Sequence, residues 1–273
     1  MLTDVVDLLA CPLCAGALRF ADGSLRCPHG HSFDIARQGY VNLLAGNAKP
    51  GTADTADMVQ ARSDFLGAGH YAPLTAAIAD RCHGTVVDAG AGTGHYLAAA
   101  MGACEVGLAL DISKFAARRA VRAHSRIGVV VADLWQDLPV RSAVADVVLN
   151  VFAPRNGPEF RRVVTGSGTV VVVTPTPGHL ASLVQRLGLV SVDARKESRV
   201  ADSLSGAFTL AEREVLEIPL ALTPGEVMTL VGMGPSARHL SPAVLTERIA
   251  ALGTRIETSA SVNVSSYNPV LAS

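Results

Sequence analysis

The chain has 273 residues, of which 49% are hydrophobic and 17% are charged. This composition supports a sizeable core and excludes wholesale disorder, and the length suits one large domain with a small one. The formal net charge of −1 lacks the basic excess common among nucleic-acid-binding proteins. No apolar run is long enough to cross a bilayer and the first residues lack a signal-peptide layout. We therefore expect a cytoplasmic protein without membrane contact.

The first 44 residues are rich in Cys, Gly and His and predict a small zinc-binding module. Cys11 and Cys14 form a C-x₂-C pair, and Cys27 and His31 form a C-x₃-H pair. Two such pairs on tight turns can surround Zn²⁺ with four ligands, which makes the metal structural because no position stays open. His29 is a competing fourth ligand, although the longer C-x₃-H spacing favours His31. The metal supplies stability that a segment of about 40 residues cannot obtain from its own core.

Residues 45–57 are small and polar and predict a linker, which leaves residues 58–273 for the main domain. There, short Val-rich segments alternate with helical ones, which predicts an α/β fold with a doubly wound, Rossmann-like parallel sheet. The predicted strands are Thr85–Ala89, Glu105–Leu110, Gly128–Ala132, Ala145–Val151 and Thr169–Thr174, with later strands near Phe208–Leu220 and Thr254–Val264. The predicted helices are Lys114–Ala123, His179–Leu187, Pro224–Val231 and Pro242–Ala251.

A glycine-rich loop joins the first of these strands to a helix and predicts a ligand site. Gly90, Gly92 and Gly94 alternate with other residues, so the backbone can pass close to a ligand at the carboxyl edge of the sheet. The G-x-G-x-G spacing differs from the G-x-G-x-x-G spacing of dinucleotide sites, which disfavours a nicotinamide enzyme. Asp88 stands two residues before the first glycine, where a cationic sulfonium or an ammonium group favours a carboxylate.

Two further acidic residues end the next two predicted strands. Asp111 is placed to accept hydrogen bonds from both ribose hydroxyls, and Asp133 to meet the exocyclic amine of adenine. Together with Asp88 and the glycines they predict a site for S-adenosylmethionine. The alternative is that all three are solvated turn residues.

The segment after the fourth predicted strand should border the pocket of the methyl acceptor. Asn150 can hydrogen-bond a base edge, Phe152 can stack on a base, and Arg155 can hold a phosphate. These three are the substrate-side candidates, and the alternative is that Phe152 is core and Arg155 merely exposed. Residues 114–126 carry five basic and no acidic side chains. They form either a solvated helix face or a phosphate-contacting patch.

These motifs together resemble the large-subunit (23S) ribosomal RNA guanine-N1 methyltransferases of RlmA type, especially the tylosin (macrolide) resistance branch. The zinc spacing followed by Gly-Tyr-Val-Asn-Leu-Leu is the most specific part of the resemblance. The matching segments are Cys11–Cys14, Cys27–Asp34, Gln38–Leu44, Met58–Arg62, Gly69–Tyr71, Asp88–Gly94, Asn150–Asn156 and Thr174–His179.

The resemblance implies methylation at N1 of a guanosine in a hairpin loop of large-subunit ribosomal RNA. It also implies that Tyr71, Tyr96, Leu97 and His179 line the cofactor pocket, although Tyr71 alone would pass for a core aromatic. No His or Glu in a motif is an obvious general base, and the role stays open between Asp133 and a bound water. The sequence does not decide between a monomer and a homodimer, or between a resistance and a housekeeping role.

Two other classes of function compete with this interpretation. One is a methyltransferase of a small molecule or a protein, in which the zinc module only adds stability. The other is a binding module that keeps the fold without activity. If RNA is the substrate, we expect two basic groups to hold it. They are Arg19, Arg26 and Arg37 in the zinc module, and Arg155, Arg161 and Arg162 near the acceptor pocket.

Overall fold

The computed structural model describes residues 1–44, 53–189, 203–234 and 241–270. The N-terminal part, residues 1–44, contains one helical turn, a 3₁₀ turn over Val6–Leu8 and four short strands. The helix is α1 (Leu2–Val5), and the strands are β1 (Arg19–Ala21), β2 (Ser24–Arg26), β3 (Ser32–Asp34) and β4 (Val41–Asn42). Strands β1, β2 and β3 form a small antiparallel sheet of their own. This sheet carries the predicted zinc ligands on its flanking turns.

The remaining elements alternate between helices and strands, as the Val-rich pattern predicted. They are α2 (Ala56–Gly67), α3 (Ala72–Ala79), β5 (Gly84–Ala89), α4 (His95–Ala100), β6 (Cys104–Asp111), α5 (Lys114–Ala120), β7 (Ile127–Val131), β8 (Ala145–Val151), α6 (Gly157–Val163), β9 (Val164–Pro175), α7 (Ala181–Leu187), β10 (Phe208–Leu222), α8 (Pro224–Gly232), α9 (Pro242–Ala250) and β11 (Ile256–Pro269). Ser113, Thr223 and Ser241 cap the N-termini of α5, α8 and α9 with side-chain oxygens.

The main sheet has eight strands in the order β10-β11-β9-β8-β5-β6-β7-β4. The five strands from β9 to β7 are parallel, and β11 pairs antiparallel with both β9 and β10. The chain winds outwards in one direction through β6 and β7 and in the other through β8 and β9. The reversal lies between β5 and β8, and ligands of open α/β sheets bind outside the carboxyl ends of the strands at such a point. We call this place the switch-point crevice.

Apolar side chains fill both faces of the sheet, so the strands are buried along nearly their whole length. One core lies under α2, α3, α4 and α5, and the second lies between the sheet and the N-terminal part. Helix α1 packs directly on β7, because a Cβ atom on Gly128 would lie only 2.1 Å from Cγ2 of Val5. Strand β4 leaves the small sheet and pairs in parallel with β7. The N-terminal part is therefore joined to the main sheet by packing and by backbone hydrogen bonds.

The predicted α/β fold is confirmed, and the differences lie at element ends. The two C-terminal strands extend further than predicted and run antiparallel to each other. Helix α7 begins at Ala181 because Leu180, with a φ of 54°, precedes it in a left-handed conformation. Of the predicted linker, residues 45–52 lie outside the described residues, and Ala56 and Asp57 form the first turn of α2. Within the described ranges, no helix is long and apolar enough to cross a bilayer.

Candidate functional site

The four predicted zinc ligands come together at one end of the small sheet. The donor atoms of Cys11, Cys14, Cys27 and His31 all lie within 4.8 Å of one another. Sγ of Cys14 is 3.6 Å from Sγ of Cys27, and Nδ1 of His31 is 3.4 Å from Sγ of Cys27. Donors bound tetrahedrally to Zn²⁺ at about 2.1–2.3 Å are separated by roughly 3.6–3.8 Å, so the four atoms fit this metal.

Two tight turns present these donors. The amide of Ala15 donates to the carbonyl of Cys11 at 2.8 Å, and the amide of Gly30 donates to the carbonyl of Cys27 at 3.0 Å. Gly30 has a φ of 84°, which L side chains rarely adopt, so glycine permits this turn. His29 lies outside the cluster and its Nδ1 approaches Gly16 instead. The structure therefore assembles the predicted ligand set that contains His31.

The glycine-rich loop follows β5 and passes the switch-point crevice. Gly90, Gly92 and Gly94 all have φ between 55° and 93°, so the loop needs glycine on conformational grounds alone. A Cβ atom on Gly90 would lie 2.3 Å from the Cβ of Ala153. The amides of Gly90 and Ala91 both donate to the carbonyl of Leu110, which ties the loop to the end of β6.

Asp111 ends β6 and braces this loop. Its Oδ2 accepts a hydrogen bond of 2.8 Å from the amide of Gly92, and its Oδ1 accepts one of 2.8 Å from the amide of Ser113. Burial raises the pKa of Asp111, and the two amide donors oppose that rise. A carboxylate oxygen accepts more than one hydrogen bond, so Asp111 keeps acceptor capacity for the hydroxyls of a ribose.

Asp88 lies at the end of β5 and is only 2% exposed. Its Oδ1 is buried and has no hydrogen-bond partner. Burial, and secondarily the Asp111 carboxyl, raises the pKa of Asp88 to about 8. A buried acceptor without a partner is costly, and a cationic ligand group beside it would remove that cost. This is what the sulfonium and ammonium groups of S-adenosylmethionine offer.

Two more buried polar atoms without partners border the same place. They are Oη of Tyr71 and Oδ1 of Asn150. Tyr71 is 3% exposed and its ring meets Phe65 edge-on at 5.2 Å, while burial raises the pKa of its hydroxyl. The amide nitrogen of Asn150 donates to the carbonyls of Ala89 and Pro154 at 2.8 and 2.9 Å. Asn150 thus joins the ends of β5 and β8, and its predicted contact with a base edge would have to come from its oxygen.

The other predicted pocket residues, Tyr96, Leu97 and Asp133, differ in whether their side chains lie near the glycine-rich loop or in the core. Tyr96 is buried near Asp88, whereas Leu97 is fully buried with its side chain against Gly107 in β6. The structure therefore places the Leu97 side chain in the core below the helix. Asp133 follows β7, and its Oδ1 accepts a hydrogen bond of 3.0 Å from the amide of Trp135.

Phe152 and His179 lie next to each other beyond the carboxyl ends of β8 and β9. Their ring centroids are 6.1 Å apart. Phe152 is 40% exposed and has a φ of 53°, an unfavourable conformation for a residue with a side chain. Nδ1 of His179 lies 3.0 Å from the carbonyl of Ser261, which can only accept, so Nδ1 carries the proton. Phe152 thus contradicts the alternative that it belongs to the core.

The predicted basic groups are in different situations. Arg19, Arg26 and Arg37 are exposed on the N-terminal part. Arg155 is half-buried and donates to the carbonyl of Ala153 at 3.3 Å. Arg162 donates to Glu159 and to the carbonyls of Leu138 and Val140. Its guanidinium is therefore committed to the protein, so the prediction that Arg162 holds RNA is wrong.

Arg62 is a residue of this site to which the sequence analysis assigned no role. It projects from α2 towards the glycine-rich loop, and its Nη1 would lie 3.5 Å from a Cβ atom on Gly92. Burial raises the pKa of Asp111 and of Tyr96, and the nearby Arg62 charge opposes that rise in both. Its one signal in the sequence is the Met58–Arg62 segment that carries the resemblance.

A Rossmann-like sheet with this loop and these strand-end acids defines the fold of S-adenosylmethionine-dependent methyltransferases, here extended by a zinc ribbon. A methyltransferase from Anaeromyxobacter dehalogenans, provisionally assigned as type II, has the same fold. Its TM-score is 0.51 at 20% identity, over 74% of this chain and 97% of the other. The family model described as "RlmA, N-terminal", a zinc ribbon, matches residues 9–51.

Relatives of known name extend over nearly the whole chain. The 23S rRNA (guanine(748)-N(1))-methyltransferase of Streptomyces fradiae is 48% identical, over 99% of this chain and 100% of its own. A relative from Micromonospora griseorubida, provisionally named a 23S rRNA (guanine-N(1)-)-methyltransferase, is 51% identical over 98% of this chain and 99% of its own. The chain belongs to the family of 23S rRNA guanine-N1 methyltransferases. The family assignment expected from the motifs is confirmed.

Proposed function

We propose that this protein transfers a methyl group from S-adenosylmethionine to N1 of a guanosine in a hairpin loop of 23S ribosomal RNA. The observation that carries the proposal is that one chain combines full-length similarity to the Streptomyces fradiae enzyme with an intact glycine loop and an intact zinc cluster. S-adenosylmethionine supplies an electrophilic methyl group when bound. The residues proposed to hold it are Tyr71, Asp88, Gly90, Gly92, Gly94, Tyr96, Leu97, Asp111, Asp133 and His179, with Leu97 contributing through its backbone.

The acceptor side of the crevice suits an unpaired base. Guanine N1 lies on the Watson–Crick edge and must leave its pair to be methylated, which a loop nucleotide does at low cost. The exposed ring of Phe152 offers a stacking surface at the end of β8. Asn150 Oδ1 is an acceptor that could orient a donor on that edge. N1 loses its proton as the N1–methyl bond forms, and we assign no residue as the base.

The zinc holds the N-terminal part in shape and takes no part in methyl transfer, because four protein ligands fill its tetrahedron. Arg19 and Phe20 lie exposed on β1 of this part. Arg26 lies opposite Arg19 on the neighbouring strand β2, so the two positive charges are close together. Cationic and aromatic side chains together are the chemistry that binds RNA loops. We propose residues 1–44 as the RNA-recognition module and residues 58–273 as the methyltransferase domain of a cytoplasmic enzyme. The homodimer stays a hypothesis, which light scattering tests.

Primer extension on 23S rRNA tests the reaction. N1-methylguanosine blocks base pairing, so reverse transcriptase should stop at one loop guanosine in cells that express the protein and read through in cells that lack it. Position 748, which the name of the Streptomyces fradiae relative gives, is the first hairpin to read. A matched strain expressing Gly92→Val, which puts a branched side chain at a φ of 55°, should show no stop.

The competing function is methylation of a small molecule or a protein. Deletion of residues 1–44 does not discriminate, because it would also remove α1 from β7 and strand β4 from the sheet. Substituting Arg19 and Arg26 by Ala is cleaner, since both side chains are exposed. The proposal is contradicted if folded, zinc-loaded protein that binds S-adenosylmethionine produces no stop anywhere in 23S rRNA.

A further inference from the structure

Arg62 stands over the glycine-rich loop in a fixed orientation. It lies on α2, its side chain is 28% exposed, and its Nη2 donates to the carbonyl of Met233 at 2.9 Å. Its Nη1 forms an ion pair with the carboxylate of Asp54. Ser113 at the start of α5 donates to the carbonyl of Asp54 at 2.8 Å, which holds Asp54 beside the loop. The guanidinium is therefore oriented from two sides before any ligand binds.

The crevice is rich in acidic side chains, so a ligand that itself carries a carboxylate needs a cation beside that group. The carboxyl groups of Asp88 and Asp111 lie at the ends of β5 and β6, and the carboxylate of Asp54 is paired with Arg62. The methyl donor also carries an α-carboxylate, which beside Asp88 and Asp111 would be repelled unless a cation paired with it. Arg62 supplies a guanidinium at Gly92, the middle glycine of the loop.

The guanidinium also has hydrogen-bonding capacity to spare. Arginine carries five N–H donors, and the contacts with Asp54 and Met233 engage one Nη atom each. The contact with Asp54 demonstrates that a carboxylate can sit against Nη1. Planar guanidinium groups bind carboxylates with more than one hydrogen bond, which lysine cannot match.

We propose that Arg62 binds the α-carboxylate of S-adenosylmethionine and of the product S-adenosylhomocysteine. Arg62 then sets where the amino-acid end of the cofactor lies, while Asp111 sets the ribose. The position of the methyl group relative to the acceptor side follows from these two anchors. This inference rests on the proposed methyltransferase function and names a residue of its cofactor site.

Two neutral thioethers separate this role from a general effect on the site. S-adenosylhomocysteine carries the α-carboxylate, and 5′-methylthioadenosine has the same adenosine and sulfur without the amino-acid group. Arg62→Met should weaken S-adenosylhomocysteine about ten- to hundredfold, the loss expected for a charge-assisted hydrogen-bonded pair. It should change the Kd of 5′-methylthioadenosine less than about threefold. Calorimetry measures both ligands on the same preparation.

Two further variants control the experiment. Arg186→Met removes an exposed arginine on α7, away from the glycine-rich loop, and should leave both affinities unchanged. Arg62→Lys keeps the charge without the planar guanidinium and should lose an intermediate amount of affinity for S-adenosylhomocysteine. This variant also keeps the test decisive where the Met variant folds poorly.

Equal losses for both thioethers in Arg62→Met and Arg62→Lys would mean that Arg62 only supports the fold, which overturns the inference. Unchanged affinity for S-adenosylhomocysteine would overturn it as well. Wild-type protein that bound neither thioether would instead contradict the proposed function itself, so the two failures are distinguishable.

Discussion

Two carboxyl groups, of buried Asp88 and partly buried Asp111, lie at the ends of neighbouring strands in the proposed cofactor site. Their environments differ, because Asp111 accepts two amide hydrogen bonds whereas Oδ1 of Asp88 has no partner. Asp111 is thus prepared for a ligand that donates hydrogen bonds, and Asp88 for one that brings positive charge. The difference follows from backbone geometry, since the Asp111 carboxylate faces the amide of Gly92 in the glycine-rich loop and the amide of Ser113 in its own turn.

At the residue scale, Asp88 predicts that cofactor binding releases a proton. Its pKa of about 8 in the free protein leaves the carboxyl mostly protonated at neutral pH. A cationic ligand favours the ionised form, so the affinity for S-adenosylmethionine should rise with pH and level off above that pKa. Calorimetry near pH 7 in buffers of different ionisation enthalpy should detect release approaching about one proton.

Asp88→Asn is the control, because the amide cannot ionise. Release that persisted undiminished in Asp88→Asn would assign the proton to another group and refute the prediction. In the free protein, the contribution of Asp88 to folding stability depends on pH in the opposite direction to its effect on cofactor affinity. A folded-state pKa raised above 3.8 stabilises the fold at low pH, and that contribution is lost as the pH rises towards about 8.

At the element scale, the sequence predicted the features that depend on local pattern. The Val-rich runs are buried on both faces in β5 to β9, so their uniform hydrophobicity was a sufficient signal. The spacing of Cys11, Cys14, Cys27 and His31 determines which ligands can close one tetrahedron, and the cluster follows that spacing. The glycines of the loop adopt the positive φ for which only glycine is well suited.

Features that depend on distant contacts could not be predicted in the same way. Strand β4 has only two residues, and it pairs with β7, on which α1 also packs at Gly128. The contact of Arg62 with Gly92 joins α2 to a loop from a separate segment of the chain, and no local sequence pattern indicates it. The Arg162 guanidinium forms an ion pair with Glu159, one turn away on α6. The basic character of Arg162 in the sequence does not reveal this pairing.

The zinc cluster predicts that the small β1–β3 sheet loses its metal and its order when one ligand is removed. Cys14→Ser should release the metal, so that elemental analysis falls from one zinc per chain to near zero, because a hydroxyl replaces a thiolate ligand. The small β1–β3 sheet should then become protease-sensitive, as it lacks a core of its own. Cys104→Ser alters a buried thiol outside the cluster and should keep its zinc. Full zinc content in folded Cys14→Ser would refute the ligand set.

At the scale of the whole molecule, the question is how a chain with a net charge of −1 holds RNA. The answer must lie in how charge is distributed, since local patches attract phosphates regardless of the total. One such patch lines a groove of about 300 Å³ between α2 and α5, close to Gln38 of the N-terminal part. Its basic side chains are Arg118, Arg119 and Arg122, and none of the described residues that line it is acidic.

This groove favours the phosphate-contacting interpretation of the basic helix over that of a solvated face. Phe115 lies partly buried in it, and the Arg118 guanidinium stands 5.8 Å from the centre of that ring. Gly39 packs against Val121 at the end of α5, so the groove continues into the N-terminal part. Few phosphate contacts are expected from a protein of this charge, which leaves shape and base contacts to supply much of the specificity.

We therefore predict that Arg118→Ala with Arg122→Ala weakens binding of the 23S hairpin while leaving the Kd of S-adenosylmethionine unchanged. RNA binding releases fewer counterions for each phosphate contact that the variant has lost. The slope of log K against log salt should therefore become shallower by about 1 per lost contact. The matched control is Arg186→Ala with Arg255→Ala, which removes the same charge from exposed positions on α7 and before β11. RNA titrations at several salt concentrations measure both pairs. If the two double variants lose equal affinity, net charge alone explains the effect and the groove is not a binding surface. A shallower slope confined to the Arg118 and Arg122 double variant would place the RNA backbone along this groove, between the zinc-bound sheet and the methyl-donor site.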